Sequence, residues 1–182
     1  MTNKRFKDLY NTEVIDKLKE VYRYKNVHSI PKIKSIVLNM GVGKKAVEDS
    51  KSVDAAMKDL SLISGQKPCY TKAKKSIAAF KLRKGMKIGC KVTLRGDRMY
   101  EFMERLVYTA LPRVKDFRGF SMKNFDKFGN LNFGIKEQTV FPEIKYDEIF
   151  SLQGLNVSIV INSKTSEESR LLLSSLNFPF VN

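Results

Sequence analysis

The chain has 182 residues and 20.9 kDa, with 42% hydrophobic and 29% charged residues, which is ordinary globular chemistry and long enough to bury a core. Lys and Arg number 34 against 19 Asp and Glu, a formal charge of +15 that calls for a polyanionic partner. No apolar run nears the ~20 residues of a membrane span, MTNKRFKDLY lacks the apolar stretch of a signal peptide, and Cys69, Cys90 and His28 lack zinc or disulfide spacing. The expectation is one cytoplasmic domain over 1–182, with no membrane contact and no cofactor.

In chain order, Asn3 to Tyr24 places Phe6, Tyr10, Val14, Leu18, Val21 and Tyr22 at helical spacing, which predicts an amphipathic helix. After Pro31, IKSIVLNMGVG alternates as a strand, with Ile36, Leu38 and Met40 on one face and Val37, Asn39 and Gly41 on the other. Ala46 to Ser64 reads as a second helix, buried through Val53, Ala56, Met57, Leu60 and Ile63 and stopped at Gly65. Gln66 to Tyr70 is a short strand candidate. Thr71 to Gly85 has no clean period and reads as an extended basic loop, a kind of segment that is usually functional.

Ile88 to Arg95 is the clearest strand, with Ile88, Cys90, Val92 and Leu94 facing one way and Lys91, Thr93 and Arg95 the other. Arg98 to Leu111 is a third helix with Met99, Phe102, Met103, Leu106, Val107 and Ala110 inside, ended by Pro112. Arg113 to Phe133 is a loop carrying Phe117, Phe120, Phe125, Phe128 and Phe133, expected as core and loop anchors. Strands follow at Phe133 to Phe141 and Leu155 to Asn162. A last helix is capped at Thr165 or Ser166, carries Glu167 and Glu168 in its first turn, and stops at Asn177. Half-polar strands interleaved with helices imply an α+β fold, mostly antiparallel, with helices packed on one face and a long basic loop.

Gly41-Val42-Gly43-Lys44-Lys45-Ala46 matches G-x-G-x-x-A between a strand and a helix, the setting of a dinucleotide site. The ribose acid expected ~20 residues on is missing, because Asp59 falls inside a helical pattern, and the leading strand is half polar. A tight glycine turn is the better account. Arg118-Gly119-Phe120 copies only the start of an RNA-binding signature. Nothing assembles a nucleophile, an acid–base pair or a metal cluster, so no enzymatic activity is expected.

The basicity has a location. Between Ser61 and Arg98 there are eleven basic residues and one acid, whereas from Lys136 onward acids exceed bases six to four. Thr71 to Gly85 alone carries five Lys, one Arg and no acid, a self-repelling run unless a polyanion compensates it. A strand face bearing Lys91, Thr93 and Arg95, beside Asn39 if the two strands are neighbours, offers donors for phosphates, 2′-hydroxyls and base edges. A general binder of RNA or anionic lipid is the undiscriminating alternative.

The blocks IVLNMGVG, GQKPCYTKAKKSIAAFKLRKGMKIGCKVTLRG, MYEFMERL, ALPRVKDFRGF, GIKEQTVFPEIKYDEI and LLSSLNFPF resemble the bacterial-type large-subunit ribosomal proteins that bind 5S rRNA, the fifth of the large-subunit set. The resemblance runs from about Tyr10 to Phe180. It implies a non-enzymatic protein of the central protuberance that attaches 5S rRNA to 23S rRNA. It also implies contacts to neighbouring large-subunit proteins, to a small-subunit head protein across a bridge, and to peptidyl-site tRNA. By position it implies a 5S rRNA face of Asn39, Gly41, Gly43, Gln66, Lys91, Thr93 and Arg95, and a tRNA contact through Lys72, Lys74, Lys75, Ser76, Lys81 and Arg83. Lys127-Phe128, Lys84 and Asn177 depart from the usual residues of that family.

Overall fold

The structure, a computed structural model, describes residues 5–181, so Asn3 and Lys4 of the expected first helix lie outside the described residues. Strands β1 (Lys32–Gly41), β2 (Cys69–Lys72), β3 (Lys87–Leu94), β4 (Leu131–Ile135) and β5 (Leu155–Asn162) form one antiparallel sheet in the order β2-β3-β1-β5-β4. Helix α1 spans Phe6–Leu9, a π turn at Tyr10–Val14, and Ile15–Tyr22. Then follow α2 (Lys44–Glu48), α3 (Lys51–Ser64), α4 (Gly96–Arg105, a π turn Leu106–Ala110, and Leu111–Arg113) and α5 (Ser166–Ser175). The fold is α+β, as the interleaved pattern predicts.

The strands alternate because alternate side chains are apolar. Ile36, Leu38 and Met40 of β1, Cys90, Val92 and Leu94 of β3, and Leu155, Val157, Ile159 and Ile161 of β5 are buried. The residues between them are half-buried or exposed, except at Gly89. The chain forms two compact units, one of residues 5–36, 95–133 and 158–181, the other of 37–94 and 134–157.

In the first unit, Phe6, Val14 and Leu18 of α1 are buried, and the Phe6 ring meets Tyr108 edge-on at 5.5 Å. Val21, expected inside, is 61% exposed; the π turn spreads its residues over a wider winding and rotates the last turns out of the 3.6-residue phase. In α4 all six expected core residues are buried. Pro112 does not end this helix, which continues to Arg113, because the π turn just before it has already broken the i→i−4 ladder that a proline interrupts. Thr165 caps α5, its Oγ1 accepting from the Glu168 N–H at 3.3 Å, and Asn177 takes the left-handed stop at φ +60.

In the second unit, the helix expected over 46–64 is broken. Asp49 is extended, its carboxylate accepts from the Lys51 N–H at 2.9 Å, and its carbonyl accepts from Ser52 Oγ at 2.6 Å, so local side-chain bonds displace one helical turn. Val53, Ala56, Leu60 and Ile63 of α3 are buried, α3 packs on β3, and Gly65 closes it at φ +63. The strand expected at 66–70 forms at Cys69–Lys72, and that expected at 133–141 forms at Leu131–Ile135. Beyond β4, Gln138 begins a 3-10 turn instead. Its buried side chain donates to Ser151 O at 2.9 Å and to Asp59 Oδ2 at 3.4 Å, and its Oε1 accepts from the Gln153 N–H.

Candidate nucleic-acid interface

The site grows from the uncovered side of β1 and β3, which are neighbours in the sheet. Because Leu38, Met40, Cys90 and Val92 turn inward, Asn39, Lys91 and Thr93 turn outward; Lys91 is exposed and the other two half-buried. The β2–β3 register pairs Cys69 with Lys91 and Thr71 with Gly89, adding Cys69 and Thr71 to this open face. A Cβ at Gly89 would overlap the Met40 carbonyl oxygen and lie 3.0 Å from Thr71 Oγ1, so glycine alone permits this close approach of strands. Spacing alone gives no sign that Cys69, Thr71 and Gly89 share this face. A glycine inside an alternating strand was the available signal, while the first two required the register.

Around this face stand the other expected residues. Gly41 ends β1, exposed, with no atom within 4 Å of where its Cβ would point. Gly43 turns at φ +52, and its N–H and that of Val42 both donate to Ile88 O at 3.1 Å. The G-x-G-x-x-A stretch is therefore a turn that closes an antiparallel strand and leads into a five-residue helix, which is not the parallel-strand architecture a dinucleotide requires. Gln66 Nε2 donates to Thr93 O at 3.3 Å, leaving its amide oxygen for another partner. Arg95 lies just past β3, exposed, as the residue preceding α4.

Residues 73–86 form a two-legged arm. At its base the Ala73 N–H donates to Met86 O at 2.8 Å and the Gly85 N–H to Ala73 O at 2.9 Å; at its tip Ile77 and Leu82 pair through two backbone bonds. Ala73 is buried, since its backbone ties the two legs. Ser76 Oγ accepts from the Lys84 N–H at 2.9 Å, bracing the arm. Lys72, Lys74, Lys75, Lys81 and Arg83 are all exposed.

The electrostatics divide by face. Asp54 of α3 takes the Tyr70 hydroxyl at 2.8 Å and Lys87 Nζ at 3.8 Å, and its hydrogen bond pushes the Tyr70 pKa up. Lys72, Lys74, Lys75, Lys81, Arg83, Lys91 and Arg95 make no ion pair among the described residues. Uncompensated cations beside a face of amide, hydroxyl and bare backbone can neutralise phosphates and donate to sugars and base edges. Among the described residues, no group of three or more metal-ligating side chains occurs and no helix is long and apolar enough to cross a membrane.

Compared with known families, the chain matches the model for ribosomal protein L5 over residues 26–83 and the model for the C-terminus of the same ribosomal family over residues 87–180.

Proposed function

The chain belongs to the ribosomal protein L5 family, structural, non-enzymatic components of the large ribosomal subunit in the cytoplasm, and from that premise we propose that it binds 5S rRNA and fastens it to 23S rRNA in the central protuberance. In this reading 1–182 acts as one domain. The open sheet face, with Asn39, Gly41, Gly43, Gln66, Lys91, Thr93 and Arg95, receives 5S rRNA. The arm, through Lys72, Lys74, Lys75, Ser76, Lys81 and Arg83, reaches peptidyl-site tRNA, and another surface meets a small-subunit head protein.

One observation carries the reading: a polar sheet face with a glycine-bare seam sits next to β2, where the uncompensated cationic arm begins. Charge holds a phosphate backbone without reading it, whereas directional amide and hydroxyl groups on a rigid sheet recognise an RNA shape. The helices bury the other side, so the face is preorganised.

The test is competition at about 150 mM salt, where long-range attraction is screened beyond ~8 Å. Labelled 5S rRNA is challenged with unlabelled 5S rRNA, tRNA and generic duplex RNA. Efficient competition by 5S rRNA alone is expected; equal competition by all three would mean that the +15 charge acts by itself.

A further inference from the structure

The arm ends in a rigid tip. Ile77 and Leu82 exchange backbone hydrogen bonds of 3.0 and 3.1 Å, a 3-10 turn spans Ala78–Phe80, and Lys81 closes it at φ +52, an uncommon conformation for a residue with a Cβ. Locked this way, the tip presents Phe80 with 62% of its surface exposed. Ala79, Phe80, Lys81 and Leu82 border a cavity of about 470 Å³ whose other lining comes from Gly43, Val47 and Glu48. That volume lies within the ~300–1,000 Å³ of small-molecule pockets.

We propose that this cavity receives one unstacked nucleobase of single-stranded RNA and prefers cytosine to uracil. The inference rests on the RNA-binding reading of the chain and adds a ligand and a selectivity for the arm. Phe80 supplies the ring on which a base stacks. Lys81, with exposed Arg83 and Lys84 beside it, holds the flanking phosphates. Gly43 projects no side chain into the space.

Glu48 is the informative residue. A surface that only attracted phosphate would gain nothing from a carboxylate in the pocket lining, yet a carboxylate accepts well from the exocyclic amino group of cytosine. Uracil presents carbonyl oxygens on both sides of its one ring N–H, and these repel the carboxylate. The two pyrimidines match in size, so a difference between them isolates this contact.

The experiment uses the full chain and labelled single-stranded oligo-C and oligo-U at about 150 mM salt, read by fluorescence anisotropy, with 5S rRNA as the parallel ligand. Oligo-C should bind tighter than oligo-U. Phe80→Ala should weaken oligo-C binding about 5- to 150-fold, the worth of one base–aromatic stack. Phe80→Leu, which keeps apolar bulk, should lose nearly as much, and Glu48→Ala should erase the preference for cytosine. All three variants should keep 5S rRNA affinity. Equal binding of both oligomers, or full binding by Phe80→Ala or Phe80→Leu, overturns the pocket while the sheet-face reading stands. Failure of the unmodified chain to bind 5S rRNA overturns the reading beneath it.

Discussion

Gly89 of β3 lies against Gly41 of β1 so closely that a Cβ at position 89 would stand 3.3 Å from the Gly41 Cα. The two glycines are not equivalent, because a Cβ at 89 also overlaps the Met40 carbonyl oxygen, whereas one at 41 meets open space. Gly89→Ala should therefore destabilise by about 1–3 kcal/mol through overpacking against unyielding backbone, lowering Tm by roughly 2–12 °C. Gly41→Ala should keep its Tm and lose 5S rRNA affinity, since the new methyl stands on the open face. Thermal melts and binding curves on both variants check the contrast; a Gly89→Ala protein as stable as its parent would refute the close approach.

Two aspartates should give opposite responses to acid. Burial pushes the Asp59 carboxyl up, against the lowering effect of the Gln138 amide and Lys58. A raised folded pKa means that the native state binds the extra proton, so stability falls as pH rises from the unfolded value near 3.9 through the folded one, and the charge is a cost at pH 7. Asp59→Asn keeps an acceptor for Gln138 and should raise Tm at pH 7, the advantage fading towards pH 4.

For Asp126, burial also raises the carboxyl, but bonds from Asn130 Nδ2 at 2.7 Å, the Asn130 N–H at 2.8 Å and the Phe128 N–H at 2.9 Å outweigh it, and the net shift is downward. Its stabilisation is present above the unfolded pKa and is lost as pH falls through the lower folded value. Asp126→Ala should cost about 1.5 kcal/mol at pH 7 and flatten the acid limb of a Tm-against-pH profile. An unchanged limb would mean that the turn does not depend on the carboxylate.

Phe120 is 3% exposed and gathers Phe117, Phe133, Phe178 and Phe180 within 6.2 Å between ring centroids, whereas Phe128 is 76% exposed. Phe120→Ala should cost about 3–5 kcal/mol in denaturant unfolding, and Phe128→Ala should leave the midpoint in place. Comparable losses at both positions would contradict the burial of one and the exposure of the other.

The alternation of β1, β3 and β5 was legible because one face of each is apolar, and legibility failed where bonding is not periodic. Asp49 breaks a helix by capturing local backbone groups, a competition invisible to a 3.6-residue count. Gln138 ends the run after β4 because its side chain clasps Ser151, Gln153 and Asp59, positions far off in sequence. For the site, charge counting located the arm and alternation oriented Lys91 and Thr93. Phe80 and Glu48 escaped because they border a cavity whose lining comes from two segments some thirty residues apart.

The arm and the sheet face should separate in their salt dependence. Each Lys that neutralises a phosphate contributes roughly one unit to the slope of log affinity against log salt. Lys72, Lys74 and Lys75 stand exposed on the arm and the strand leading into it, apart from Asn39 and Arg95. Replacing the three lysines with Ala should flatten the slope for tRNA by about 2–3 and leave that for 5S rRNA nearly unchanged. Arg95→Ala should weaken 5S rRNA binding and flatten its slope by about one. Asn39→Ala carries no charge change and should weaken 5S rRNA binding at every salt concentration with the slope preserved, the mark of a directional hydrogen bond. If the triple variant loses both RNAs equally, the cations serve one continuous surface and the arm has no partner of its own.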